Sequence, residues 1–195
     1  MRDLSLHIMD LAQNSVRANA RLVRIEIREL RSEGWLHIII EDDGCGMSEE
    51  LLAQVHSPFT TTRTTRHVGL GIPLFEANAR LAGGGIELTS TVDRGTRLVG
   101  TFGLQHVDRL PLGDIVGTMV SLIVSTPVVP DYAFALATET DEFLLDTREM
   151  RETLGDVPLD VPEVVAWMRE SMREAFETLM PELYQESQTT MLVRI

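Results

Sequence analysis

Apolar side chains at Leu4, Leu6, Ile8, Met9, Leu11, Ala12, Val16 and Ala18 recur at spacings of three and four, which predicts an amphipathic helix at the start of the chain. A denser run, Trp35-Leu-His-Ile-Ile-Ile-Glu41, reads as a buried strand. It ends in Asp42-Asp43-Gly44-Cys45-Gly46, and Met47-Ser48-Glu49-Glu50 then marks a second helix start. Leu74, Phe75, Ala77, Ala79 and Leu81 predict a third helix. Pro73 suits its first turn, where the missing N–H would be unpaired anyway, and Gly83-Gly84-Gly85 closes it. Arg97 to Phe102 reads as another strand.

Beyond Leu104 a connector marked by Pro111 and Gly113 leads to Asp114, a candidate cap for a helix through Ile115, Val116, Met119, Val120, Leu122, Ile123 and Val124. Tyr132–Thr138 and Glu142–Asp146 predict an antiparallel pair joined by Glu139-Thr-Asp141. Thr147–Leu154 continues as a helix to Gly155. A last helix spans about Pro162 to Leu179, with Val164, Val165, Trp167, Met168, Met172, Phe176 and Leu179 on its apolar side. The pattern divides the chain into residues 1–104, a small acidic α/β unit over 105–181, and a tail over 182–195. Met191-Leu-Val-Arg-Ile195 in that tail is either a late strand or a disordered end. So small a unit as 105–181 buries little alone and should pack on the first half or on another subunit.

Three clusters carry candidate chemistry. Asp10 and Asn14 lie one turn apart on one helix face. A carboxylate and a carboxamide so placed can hold a Mg²⁺ ion and orient a water, since Mg²⁺ takes hard oxygen ligands; taken alone, the two read more readily as a polar solvent face. The string Asp42-x-Gly44-x-Gly46 puts a carboxylate at a strand end, then glycines that let the backbone come close to a flat group. Gly69-Leu70-Gly71 opens a helix, whose free N–H groups suit phosphate. Before it runs Ser57-Pro-Phe-Thr-Thr-Thr-Arg-Thr-Thr-Arg-His67, a polar, basic loop able to fold over an anion.

Together these motifs resemble the ATP-binding domain shared by DNA gyrase, the heat-shock chaperone ATPases, histidine kinases and MutL, the GHKL or Bergerat-fold superfamily. Asp10-Leu-Ala-Gln-Asn14-Ser-Val-Arg-Ala18 is similar to its N box and Asp42-Asp-Gly44-Cys-Gly46 to its first glycine box. Phe59-Thr60-Thr61-Thr62 and Gly69-Leu70-Gly71 resemble the lid and second glycine box, and Gly95-Thr96 the final box. The resemblance covers about Leu4 to Leu104 and implies a two-layer α/β sandwich with a mixed β-sheet. It implies ATP as ligand, with Asp42 accepting from the adenine amino group, Gly44 and Gly46 allowing close approach, and Thr96 helping to hold Asp42 or a bridging water. Asn14 would hold Mg²⁺. Thr60, Thr61, Thr62, Gly69, Leu70 and Gly71 would surround the phosphates.

Two positions bear on catalysis. Arg17 stands where histidine kinases carry a lysine that reaches the phosphates, and its fork suits phosphate oxygens. Asp10 stands where hydrolysing members have a glutamate as general base; it keeps the carboxylate but is one methylene shorter. His7, a turn earlier, is read as a packing residue because the separate helix that presents an acceptor histidine is absent. The resemblance thus implies a kinase-like catalytic domain that passes the γ-phosphate to a protein partner. An ATP-hydrolysing conformational switch and a nucleotide-sensing interaction module are the alternatives.

Composition narrows the setting. The net charge is −13 and there is no lysine, so arginine must supply every cationic side chain other than histidine. Residues 1–104 hold 13 acids against 11 arginines, whereas the remainder holds 17 against 6. Nucleic acid needs a basic stripe to displace counterions, so an acidic second half argues against it and against MutL-like repair. One cysteine excludes an internal disulfide. No apolar run approaches the length of a membrane span, and no signal peptide is read at the start. A cytoplasmic protein is expected, acting with ATP or ADP and a protein partner, with no membrane partner; a homodimer is left open.

Overall fold

The computed structural model describes residues 2–55, 70–126 and 128–192. Along the chain run α1 (Leu4–Arg17), β1 (Leu22–Leu30), β2 (Trp35–Asp42), α2 (Glu49–Val55), α3 (Gly71–Leu81), β3 (Gly85–Thr91), β4 (Gly95–Gly103), α4 (Ile115–Ser125), β5 (Asp131–Ala137), β6 (Glu142–Asp146), α5 (Thr147–Leu154), α6 (Pro162–Leu179) and α7 (Pro181–Leu192). The six strands form one sheet in the order β3-β4-β2-β1-β5-β6. All neighbours are antiparallel except β1 and β5, which are parallel. The mixed α/β sheet implied by the resemblance is therefore present.

Alternation decides which face of the sheet is covered. On β1, Val23, Ile25 and Ile27 are buried, while Arg24 is exposed and Glu26 and Arg28 are partly so. The register puts Ile25 opposite Ile40 and Phe134, and Ile27 opposite Ile38 and Leu136, so one face is apolar across the central strands. Helices pack on it. Phe75 of α3 meets Phe102 with ring centroids 5.3 Å apart, and it fits because position 100 is glycine: a Cβ there would lie 2.4 Å from the Phe75 ring. Buried Leu4, Ile8, Leu11 and Ala12 of α1 join the same core.

Helix ends follow local chemistry. Asp3 caps α1 by accepting from the Leu6 N–H at 3.0 Å, and Asp114 caps α4 by accepting from the Gly117 N–H at 2.7 Å; such caps satisfy donors that the helix itself leaves free. Asp146 caps α5 and Gly155, at φ +60°, ends it. Pro162 begins α6, whose buried stripe is Val164, Met168, Met172 and Phe176.

Several expectations change. β1 and β3 were not anticipated. The tail is helical through residue 192, since Pro181 starts α7, which buries Leu183 and sets Tyr184 against Phe176 at 5.6 Å; Val193, Arg194 and Ile195, part of the segment expected as a late strand or disordered end, lie outside the described residues. Trp167, expected on the apolar side of α6, is 56% exposed because it lies off the stripe that meets the sheet. The expected boundary at residue 104 is not a break in the sheet. β5 lies between β1 and β6, and α4, α5 and α6 pack against it, so it is buried from Tyr132 to Ala137. Backbone bonds also cross the boundary, with Leu4 N–H donating to the Pro111 carbonyl and Ser5 N–H to that of Leu112. No described helix is long and apolar enough to cross a membrane.

Candidate nucleotide-binding site

The site forms where the C-terminal half of α1, the end of β2 and the starts of α3 and β4 converge. Asp42 closes β2 and is held from two sides: Ser15 Oγ of α1 donates to Oδ2 at 2.6 Å, and the Gly44 N–H donates to Oδ1 at 2.9 Å. Each carboxylate oxygen keeps one further acceptor direction. Asp43 does structural work, its Oδ1 accepting from the Arg21 and Leu22 N–H groups at 2.7 and 2.8 Å and fixing the start of β1.

The glycines of this loop dock it on the protein itself. A Cβ on Gly44 would lie 2.8 Å from both the Cβ and the carbonyl oxygen of Ala18, and the adjacent Cys45 N–H donates to that oxygen at 2.9 Å. Gly46 sits at φ +63°, with a Cβ position 2.0 Å from the Thr91 carbonyl oxygen. Gly95, at φ +102°, would set a Cβ 1.8 Å from the Asp42 carbonyl oxygen. Positive φ and backbone contact together demand glycine at the latter two. Close approach is thus used first between chain segments, which the sequence reading had assigned to the ligand.

Thr96 is the register partner of Asp42 across β2 and β4. Its hydroxyl does not meet the carboxylate; it lies 2.8 Å from Ser90 Oγ. Ser90 also accepts from the Met47 N–H at 2.8 Å and donates to the Gly95 carbonyl at 3.0 Å. With Ser90 donating to Gly95, Thr96 must be the donor of the pair, which leaves its oxygen free to accept.

On α1, Asn14 Oδ1 accepts from Arg17 Nη1 at 2.8 Å, so the amide and the exposed guanidinium form one polar unit. Asp10 faces the start of α3: a Cβ on Gly71 would lie 2.2 Å from Asp10 Oδ2 and 3.8 Å from Asn14 Nδ2. Glycine at that position lets the first turn of α3 come down onto both residues. α3 has no side-chain cap, and Leu70 before it is 70% exposed. Thr60, Thr61, Thr62 and Gly69 lie outside the described residues. The chain's own hard oxygens fit Mg²⁺: one amide oxygen and one carboxylate lie a turn apart, few enough to need phosphate oxygens as co-ligands. Among the described residues no cluster of three or more His, Cys, Asp or Glu could hold a metal alone.

His7 is fully buried, with Asn78 Nδ2 3.1 Å from Nε2 and the Phe75 ring 5.7 Å away. Burial pushes its pKa down to about 4, so it is a neutral packing group. Sequence reasoning missed Ser15, Asp43 and Ser90. Ser15 was open to discovery, standing one residue past Asn14 on the same helix, but its bond to Asp42 spans 27 positions and no local pattern announces it.

Comparison with known proteins places this geometry. Residues 2–106 match the family described as histidine kinase-, DNA gyrase B-, and HSP90-like ATPase. The chain is 28% identical over 118 residues to the non-motile and phage-resistance protein of Caulobacter vibrioides, covering 56% of this chain and 14% of that protein. It is 27% identical over 96 residues to the C4-dicarboxylate transport sensor protein DctB of Pseudomonas aeruginosa, covering 49% of this chain and 16% of that one. The chain therefore spans about one-seventh of the length of these relatives. The solved N-terminal domain of a DNA repair protein superposes with a TM-score of 0.50 at 13% identity, over 75% of this chain and 53% of that one. The Aquifex aeolicus MutL ATPase domain complexed with ADP gives 0.46 at 14% identity, over 79% and 69%. With the family match covering more than half of its length, the chain belongs to the histidine kinase-, gyrase B- and HSP90-like ATPases, the GHKL superfamily.

Proposed function

We propose that this protein binds Mg-ATP and passes the γ-phosphoryl group to a protein partner, as a kinase-like regulator in the cytoplasm. The observation that carries the reading is Asp42, a carboxylate fixed by Ser15 and the Gly44 N–H with acceptor capacity to spare. It would accept from the adenine amino group. Guanine would oppose it with a carbonyl oxygen, and two buried acceptors face to face cost about 1–3 kcal/mol. Arg17 would pair with phosphate oxygens, released for that purpose from Asn14 Oδ1, and Asn14 would then offer its oxygen to the metal. Mg²⁺, when bound, supplies charge neutralisation at the phosphates. Gly71 and Leu70 would lie beside them, with Thr60, Thr61, Thr62 and Gly69 closing over. Thr96 would accept from the ligand or a water. In the transfer the bond from Pγ to the β–γ bridging oxygen breaks, the acceptor atom of the partner bonds to Pγ and loses its proton to solvent, and ADP leaves. Positioning does most of the work. The sensor-protein name of one relative favours a regulatory setting.

A second reading draws on Asp10, whose carboxylate borders the first turn of α3. There it could take a proton from an attacking water and make the protein an ATP-hydrolysing switch. Incubation with Mg-[γ-³²P]ATP, alone and with nucleotide-depleted cell extract, separates the two. A labelled partner that is lost with Arg17→Ala supports the kinase. Free phosphate alone, abolished by Asp10→Asn, supports the switch. Neither, with ADP still raising the melting temperature by mass action, leaves a nucleotide-sensing module. Absence of saturable ADP and ATP binding would overturn all three.

A further inference from the structure

At the end of the sheet away from the nucleotide site, β6 is an edge strand. Its backbone geometry follows from the hairpin that precedes it. The Thr138 N–H donates to the Asp141 carbonyl at 2.8 Å, so these two residues form a hydrogen-bonded pair. Bonded and non-bonded pairs alternate along an antiparallel ladder. Phe143 opposite Leu136 and Leu145 opposite Phe134 therefore bond inward to β5. The N–H and C=O groups of Glu142 and Leu144 point to the open side. Natural edges are usually blunted by charge, proline or a bulge; here the middle residue is Leu144, 52% exposed.

Beside this edge lies a groove of about 680 Å³ between β6, α5 and α6, lined by Phe143, Leu145, Met150, Leu154, Val164 and Trp167. Trp167 is 56% exposed there. Large aromatic side chains half in water are costly to leave uncovered and are typical anchors of protein contacts. Glu149 and Glu163 also line the groove, and Glu142 stands on the edge. Among the described residues none of these three carboxylates has an ion pair, whereas Asp146 is bound to Arg148.

We propose that this edge and groove dock an extended segment of a partner protein, added to the sheet as a seventh strand and carrying apolar residues alternating with arginine or lysine. The unpaired backbone groups of β6 match a strand, since strand addition draws its affinity from such bonds and its specificity from pockets for alternate side chains. Apolar side chains of the added strand would enter the groove against Phe143, Met150 and Trp167. The alternating basic ones, on the opposite face, would meet Glu142, and a basic residue at either end of the segment would reach Glu149 and Glu163 on the groove wall. A second copy of this chain fits poorly, because pairing β6 with itself would bring the same unpaired acids together from both sides. The inference does not depend on what becomes of the nucleotide.

Random twelve-residue peptides displayed on phage are panned against the full chain, with the Trp167→Glu variant used to remove other binders, and enriched peptides are measured by fluorescence anisotropy. Alternating apolar and basic residues are expected in the enriched peptides. Leu144→Pro is expected to weaken binding at least tenfold, since its N–H points outward and proline there removes no bond to β5. The double variant Glu149→Arg, Glu163→Arg should do the same. Should Leu144→Pro lower the melting temperature, Leu144→Asp tests the same edge with the backbone intact. No enrichment, acidic or uncharged peptides, or binding indifferent to the edge variants would overturn the proposal. So would a dimer in sedimentation velocity that Trp167→Glu dissociates, which would make a second copy the occupant.

Discussion

Replacing Asp42 with asparagine changes one atom and leaves the shape of the site intact, so its effect can be worked from the bonds already made. Oδ1 faces the Gly44 N–H and Oδ2 faces Ser15 Oγ. Two donors cannot face each other, so the amide of the variant must keep its oxygen toward Gly44 and turn its NH₂ toward Ser15. The serine hydroxyl then rotates to accept, and the fold loses little. The nucleotide loses more. A purine amino group approaching the former Oδ2 side now meets another donor, and a charge-assisted bond worth about 1.5–3 kcal/mol disappears. That converts to roughly 10- to 150-fold weaker ADP binding. Guanine fares differently, because its O6 can accept from the new NH₂, so the ratio of ADP to GDP affinity should fall further than ADP affinity alone suggests. Calorimetric titration with ADP and GDP, alongside a thermal melt, reads all three quantities. ADP affinity within threefold of the parent, with an unchanged melt and an unchanged ADP to GDP ratio, would show that Asp42 does not touch the base.

Gly46→Ala should cost about 2–4 kcal/mol of stability, because its Cβ would sit 2.0 Å from a backbone oxygen at φ +63°; a melting temperature within about 2 °C of the parent would mean the loop shifts freely. His7 has its pKa held down to about 4 by burial, so its contribution is complete above the unfolded value near 6.5 and is lost as pH falls toward 4. Denaturant titrations at pH 7 and pH 4 should show His7→Gln recovering roughly 3 kcal/mol of the acid loss, and an identical pH profile in parent and variant would contradict the buried neutral ring. The fragment 2–104 lacks β5 and the Pro111 and Leu112 acceptors of α1, and it should show no cooperative melt by circular dichroism; a sharp transition would give the first half a core of its own.

Much of this was legible in the residues, for reasons that differ by element. α1, α3, α4 and α6 repeat apolar positions at helical spacing, and β2 gathers Leu36, Ile38, Ile39 and Ile40 into one dense apolar stretch. β1 carried a signal too, Leu-Val-Arg-Ile-Glu-Ile-Arg-Glu-Leu, which alternates apolar and charged from Val23 to Arg28. Its charged half masks it as a polar linker when hydrophobicity alone is followed. β3 has fewer apolar residues and pairs on one side only, so its pattern is faint. Within the site, Asp42, Asn14 and the glycines stand in contiguous strings that spacing reveals. What spacing cannot reveal is which hydroxyl reaches which carboxylate: Thr96 stands opposite Asp42 in the ladder, yet Ser15 from another element makes the bond. That choice is tertiary, set by where the last turn of α1 lies across the end of β2.

The same tertiary logic ties the two ends of the sheet together. Asp43, in the loop after Asp42, fixes the Arg21 and Leu22 N–H groups. The Arg21 carbonyl in turn accepts from the Asp131 N–H at 2.8 Å, at the first residue of β5. The Asp131 carboxylate then accepts from Thr147 Oγ1 at 2.8 Å and from Arg151 Nε at 3.0 Å, both on α5, and the next residues of α5 line the groove beside β6. Arg21 and Leu22 are thus a shared anchor, held by the nucleotide loop through their N–H groups and by β5 through a carbonyl. A chain of this kind couples two sites only when its members have two settings that each ligand distinguishes. Thermodynamics fixes how that is read: any factor by which a peptide on β6 changes ADP affinity must equal the factor by which ADP changes peptide affinity. Where the two sites couple through this chain, Asp131→Asn, which weakens the contacts to Thr147 and Arg151 on α5, is the substitution expected to bring both factors toward one while leaving each binding surface in place.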